Sequence, residues 1–189
     1  MQSYFLDGVK HITDPGGYDH MLFLVALSAP FSFREWKQIL LLATAFTVGH
    51  SITLALAAFD LIRFPSNLIE LLIPTTILIT CISTIVRAKH ETPKIYPIHF
   101  IIAVCFGLIH GMGFSSYFRM IYNETSSMVK GLLAFNLGVE AGQILIIAAF
   151  LMLSSFLLLF VKKKRSLVIA VSLFAGFVAT YLIADKLFA

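Results

Sequence analysis

Long apolar runs recur along this chain of 189 residues, separated by short polar breaks. A stretch of about 18 or more apolar residues is long enough to cross the hydrocarbon of a bilayer as a helix. Several such runs in so short a chain leave no room for a water-soluble core. The fold expected is all-α: a polytopic membrane helix bundle of about six spans, with a short or re-entrant N-terminal segment. It forms a single integral membrane domain over residues 1–189, in contact with the lipid bilayer. Charged residues make up only 13% of the chain, which fits that class. The net charge of +4 then reports basic loops at a membrane surface and implies no nucleic-acid partner. Cys81 and Cys105 both lie inside apolar runs and read as small buried hydrophobes, not as a disulfide framework.

The spans are expected at about 18–29, 36–59, 67–86, 97–114, 130–161 and 167–187. The first is short and stops at Pro30. The third contains Pro74, which predicts a kink. The fifth is long and must tilt or protrude. Residues 1–17 form an N-terminal extracytoplasmic segment, of which 3–13 can lie at the interface or re-enter. The opening MQSYFLDGVKHITDPGG carries acidic residues and no apolar core, so no cleavable signal peptide is expected.

Lys and Arg are divided unevenly between the two sides. Arg34, Lys37, Arg87, Lys89, Lys94, Lys162, Lys163, Lys164 and Arg165 fall in the loops after spans one, three and five. Lys10, Arg63, Arg119, Lys130 and Lys186 fall on the other side. The positive-inside rule puts the first set in the cytoplasm and both termini outside.

Against this background five polar residues stand out: Asp19, His20, His50, His110 and Glu140. Ionisable groups in hydrocarbon are costly and usually face a bundle interior or a pathway. With a rise of about 1.5 Å per residue, His50 lies roughly 13 Å below the outer edge, His110 roughly 6 Å and Glu140 roughly 15 Å. His20 starts the first span. Four helices therefore carry nitrogen and oxygen donors to the outer half of the bilayer, the donor set of a divalent metal site. Glycines flank each position: Gly49 before His50, Gly107, Gly111 and Gly113 around His110, Gly138 and Gly142 around Glu140. Small residues let membrane helices approach closely. Gln143, Ser51 and Asn136 are placed to orient the imidazoles or the carboxylate from behind. Glu140 and Asp19 stay open between ligand, orienting partner and general base, and Asp19 also reads as a helix cap. The plainer reading of any one histidine is a hydrogen bond to a neighbouring helix. His11 joins the site if the N-terminal segment folds back over the bundle. His90 and His99 belong to the cytoplasmic side.

The same residues carry a family likeness. The pieces G-x-x-H at 8–11, G-x-D-H-x-L-F-L at 17–24, F-T-x-x-H-S-I-T-L at 46–54, F-G-L-I-H-G-x-G-F at 106–114 and F-N-x-G-V-E-x-G-Q at 135–143 resemble the HupE/UreJ family. The resemblance implies a multi-pass protein of the bacterial inner membrane, tied to nickel and sometimes cobalt supply for metalloenzyme maturation. Asp19-His20 and F-T-V-G-H-S-I-T at 46–53 are also similar to the nickel/cobalt permeases. Those place a further histidine a few residues before the acidic pair, in the same helix. Here His11 is eight residues before Asp19, with Pro15, Gly16 and Gly17 between.

Two functions are expected to compete. One is a permease for a divalent transition metal (nickel or cobalt, or else zinc) bound at His20, His50, His110 and a carboxylate. Neutral imidazole is the binding form, so uptake should weaken at acid pH. The other is a membrane-embedded zinc hydrolase acting on a lipid or peptide at the outer leaflet. There Glu140 or Asp19 would be the base, though no H-E-x-x-H is present. An accessory protein with metalloenzyme or homo-oligomer partners is a third.

Overall fold

The computed structural model describes residues 2–88, 95–121, 125–161 and 163–188, with side chains except at Gln2, 115–121 and 125–128. Lys89, His90, Lys94 and Lys162, read above as part of the basic face, lie outside the described residues. Seven helices follow in order among the described residues: α1 Gln2–Thr13, α2 Tyr18–Ser28, α3 Trp36–Ala58, α4 Ser66–Arg87, α5 Pro97–Ile121, α6 Thr125–Leu157 and α7 Lys164–Phe188. No strand occurs among the described residues. Five stretches are long and apolar enough to cross a membrane: Phe33–Ala58, Ser66–Arg87, Pro97–Phe114, Val129–Leu157 and Lys164–Phe188. These correspond to the last five spans expected from sequence. The helices differ at their ends, with α5 running on to Ile121 and α6 ending at Leu157, before Val161.

The first expected span is only eleven residues long as α2, and a second helix, α1, precedes it. Asp14-Pro15-Gly16-Gly17 separates the two. Proline disfavours helical geometry in the residue before it, and Asp14 is extended at φ −67° and ψ 121°. The Asp14 carboxylate accepts the Gly16 N–H at 2.8 Å, closing the turn. At its far end α3 stops in a Schellman turn: Asp60 takes the left-handed conformation at φ 60°, and Leu61 N–H donates to Leu56 O at 2.9 Å. Pro74 sits within α4 and cannot donate to the preceding turn. Beside it the Thr75 hydroxyl donates to Leu71 O and the Thr76 hydroxyl to Ile73 O, both at 2.7 Å.

Glycine decides which helices touch. A methyl group at Gly107 would collide with Phe46 O and lie 2.9 Å from His50 N. One at Gly49 would collide with Val104 O and lie 2.9 Å from Leu108 N. The backbones of α3 and α5 are therefore in direct contact, and Gly111, one turn after Gly107, meets His50 O and Thr53, so the matched positions rise together and the two run parallel. A second pair is made the same way: Gly8 lies against Phe135 O, and along α6 Gly138 meets Phe5 O and Gly142 meets Ile12. Here too the order rises together, so α1 runs parallel to α6. In the third pair, α4 with α7, Gly176 lies near Cys81 and Lys186 pairs with Glu70 at 2.8 Å. That order falls as the other rises, so these two are antiparallel.

The direction of α2 follows from its rings. His20 lies beside His50 and His110, while Phe23, one turn on, stacks on Phe46 at 4.7 Å and meets Phe106 at 6.2 Å. Phe46 and Phe106 precede His50 and His110 in their helices, so α2 runs against α3 and α5. α5 ends at Ile121 and α6 begins at Thr125, while Phe114 stacks on Phe135 at 5.2 Å, so α6 runs back against α5 and hence against α3. α1 and α2 therefore run the same way. The two helices hold 23 residues between them, about 34 Å of helix, comparable with the thickness of the hydrocarbon. This accounts for the shortness of the expected first span.

The core between the helices is made by Phe23, Phe46, Phe135, Ile12, Ile39 and Ile77, all essentially inaccessible. The outward faces are as apolar as the core, with Leu133 and Leu137 on α6 and Phe174, Phe177 and Tyr181 on α7 exposed. A face of that kind suits lipid. The glycine contacts predict a sharp contrast between two substitutions. Gly107→Ala must drive α3 from α5 and should cost about 1–3 kcal/mol. Gly113→Ala meets only the end of the Ile73 side chain, at 3.1 Å, and should cost far less. Reversible SDS unfolding of the two variants side by side measures the difference.

Candidate metal centre

Two histidines flank the break between α1 and α2, and this is what brings them together. His11 belongs to the last turn of α1 and His20 to the first turn of α2. Their ring centroids are 4.7 Å apart. His50 reaches the same place from α3, 5.6 Å from His11 and 5.9 Å from His20. One nitrogen from each of the three lies within 4.8 Å of the others. His110 joins from α5, with its ring 5.0 Å from that of His20. Phe114 packs on His11 at 3.9 Å and Phe135 at 5.5 Å, walling the cluster on one side. His20, His50 and His110 are buried.

The hydrogen bonds around the rings fix which nitrogens carry protons. The Asp19 carboxylate takes the His20 backbone N–H at 2.8 Å and lies 3.0 Å from Nδ1 of the same residue. A carboxylate accepts, so Nδ1 donates and Nε2 keeps its lone pair. The Thr76 hydroxyl has given its proton to Ile73 O. It therefore accepts from His110 Nε2 at 3.0 Å, which leaves the lone pair on Nδ1. His20 Nε2 and His110 Nδ1 are both buried without a partner, as are His11 Nε2 and both ring nitrogens of His50. An unmet buried polar atom costs about 1–3 kcal/mol. Several converging lone pairs in one place form a site able to hold a cation. A tetrahedral ion with metal–nitrogen bonds of about 2.0–2.1 Å needs its nitrogens about 3.4 Å apart, so the rings must close in on it from separations of up to 4.8 Å.

The oxygen residues singled out from sequence are divided. Asp19 is the partner of His20, which removes the need to read it as a helix cap alone. Asn136 faces His50; its amide donates to Leu132 O at 2.9 Å while its oxygen is unpartnered. Ser51 donates to Thr47 O of its own helix at 2.7 Å. Glu140 is not grouped with the imidazoles. It accepts the Thr44 hydroxyl at 2.6 Å, and Thr44 is six residues before His50, about 9 Å along α3. Gln143 is fully buried and meets the Thr47 hydroxyl at 2.8 Å. His99 lies away from the cluster, with Tyr96 and Arg87.

Sequence reasoning did not find Thr76 or Thr44. A threonine in an apolar span is an ordinary residue, and no spacing marks the one that will meet a histidine from another helix. The sequence brings His11 to the site only if the N-terminal segment folds back over the bundle, whereas it arrives there on a regular helix, α1. The signal available was Gly8, three residues earlier, which allows α1 to lie against α6.

A family model described as HupE / UreJ protein matches residues 1–186 of the chain. No curated protein and no solved structure matches it.

Thr76→Val tests the proton assignment. It keeps the shape and leaves the His110 Nε2 proton buried without an acceptor, which should cost about 1–3 kcal/mol. An unchanged unfolding midpoint would mean that the bond is not formed.

Proposed function

The chain belongs to the HupE/UreJ family, and on that basis we propose that it is a membrane permease for a divalent transition metal, with His11, His20, His50 and His110 as the ion's binding site. The observation that carries this reading is the set of buried, unpartnered imidazole nitrogens gathered at the break between α1 and α2. Transporters commonly bind substrate at discontinuous helices near the bilayer midplane, where two half-helices can move against the rest of the bundle. The donor set is imidazole without thiolate, which suits nickel, cobalt or zinc and not copper(I). The family resemblance favours nickel or cobalt among these. Asp19 holds the His20 ring in its metal-binding tautomer. The basic loops at the end where α3 begins face the cytoplasm, with both chain ends outside.

The ion is the cargo, so the protein's work is to strip water from it, hold it and let it pass. Neutral imidazoles replace the hydration shell without adding charge to the apolar interior. The Asp19 carboxylate supplies a single compensating charge beside His20.

The test is uptake of radioactive nickel into liposomes carrying the purified protein. Wild type should accumulate the ion, and His20→Ala and His50→Ala should abolish accumulation. Asp19→Asn should lower nickel affinity by about 10–100-fold, as loss of a carboxylate behind a ligating histidine does elsewhere; isothermal titration measures it. Firmly bound zinc that does not exchange, together with no uptake of any divalent ion, would overturn the reading.

A further inference from the structure

The rings of the cluster are not held alike. His20 is anchored through Nδ1 by Asp19 at 3.0 Å, and His110 through Nε2 by Thr76 at 3.0 Å. Each of these two rings has one nitrogen committed to the protein and one left for an ion. His50 is the exception. It is fully buried, and neither of its ring nitrogens has a partner. A neutral imidazole carries one proton and one lone pair. A cation takes the lone pair, so the proton needs an acceptor in the protein.

Asn136 on α6 offers one. It faces the His50 ring, and it directly follows Phe135, whose own ring lies 5.5 Å from that of His11. The two ends of its carboxamide can be told apart by the bonds they make. One end lies 2.9 Å from Leu132 O. A carbonyl only accepts, so that end is the amino group. The other end is the carbonyl oxygen, Oδ1, and it is buried without a partner. Among the described residues no other buried side-chain carbonyl or carboxylate oxygen is in that state. The two groups complement each other: His50 has a proton without an acceptor, and Asn136 an acceptor without a donor. They face each other across α3 and α6 with the bond between them still open.

We infer that Asn136 is a positioning residue for the metal site: its side-chain oxygen takes the His50 ring proton and leaves the other His50 nitrogen to the ion. This rests on the reading that the histidines hold the permeating ion. The proton sits on the nitrogen nearer Asn136 in the empty site, and the bond closes as the rings draw in on an ion. Partners of this kind fix the tautomer and the orientation of a ligating histidine. A neutral amide does so without placing a second negative charge beside that of Asp19. Were Oδ1 to bind the ion itself, the His50 proton would again have no acceptor.

Nitrogen NMR of the metal-free, full-length protein, isotope-labelled at histidine and held in nanodiscs, reads which ring nitrogen carries the proton. The His50 signals are identified by their loss in His50→Ala. Wild type should show a single His50 tautomer, and Asn136→Leu a mixture of both. In isothermal titration Asn136→Leu should weaken Ni²⁺ binding by about 10–100-fold, the usual effect of losing the partner behind a ligating histidine. Asn136→Asp keeps an acceptor oxygen in place and should restore the single tautomer and most of the Ni²⁺ affinity. A residue that only packs would weaken both variants alike and leave the tautomer unchanged. An unchanged tautomer in Asn136→Leu overturns the inference, as does equal loss of Ni²⁺ binding in the two variants. A mixture of tautomers in the wild type also overturns it, and that measurement needs no variant of Asn136 to fold. Absence of Ni²⁺ binding by the wild type overturns the permease reading instead, and the metal-free tautomer then still decides the role of Asn136.

Discussion

The rest of the structure depends on backbone contact between glycine-bearing helices. In lipid there is no hydrophobic force between helices, so they hold together by close packing and a few polar contacts. Gly49 and Gly107 bring α3 and α5 into contact at the level of His50 and His110. Gly8 and Gly138 do the same for α1 and α6, and so set the height of His11. The imidazoles meet because the chains that carry them cannot be held further apart. A single methyl group at these contacts acts on the site without touching a histidine.

The second element is the break at Asp14–Gly17. A continuous helix would carry His11 and His20 nine residues apart, about 13 Å along one axis. The break shortens this to ring centroids 4.7 Å apart. The break itself, Asp14–Gly16, is exposed, while His11 and His20 on either side of it point inward to the cluster. Proline and paired glycines make the break, and the Asp14 side chain closes its turn.

Much of this was legible in the sequence. Apolar run length gave five of the spans within a few residues, because membrane thickness sets helix length whatever the neighbours are. The rarity of ionisable groups in those runs marked Asp19, His20, His50, His110 and Glu140. Depth counting was cruder. It put Glu140 and His50 at nearly one level, and the structure separates them, because the two helices are not in the register their loop positions suggest. The first span was read as one short helix, since α1 and α2 are each too short to register as a span. The partners Thr76 and Thr44 had no sequence signal at all.

The sequence by itself determined that the chain is a helical membrane bundle and which side chains are too polar to face lipid. Both follow from composition and run length, which act through the solvent, while the likeness to the HupE/UreJ family is carried by the motifs. Only the tertiary structure decided that His11 stands with His20 and His50, which ring nitrogens are left with lone pairs, and that Glu140 keeps company with threonines and a glutamine. Those outcomes depend on helix register and direction. In this bundle they are fixed by contacts between residues about a hundred positions apart, such as Thr44 with Glu140 and Thr47 with Gln143, and no local pattern encodes them.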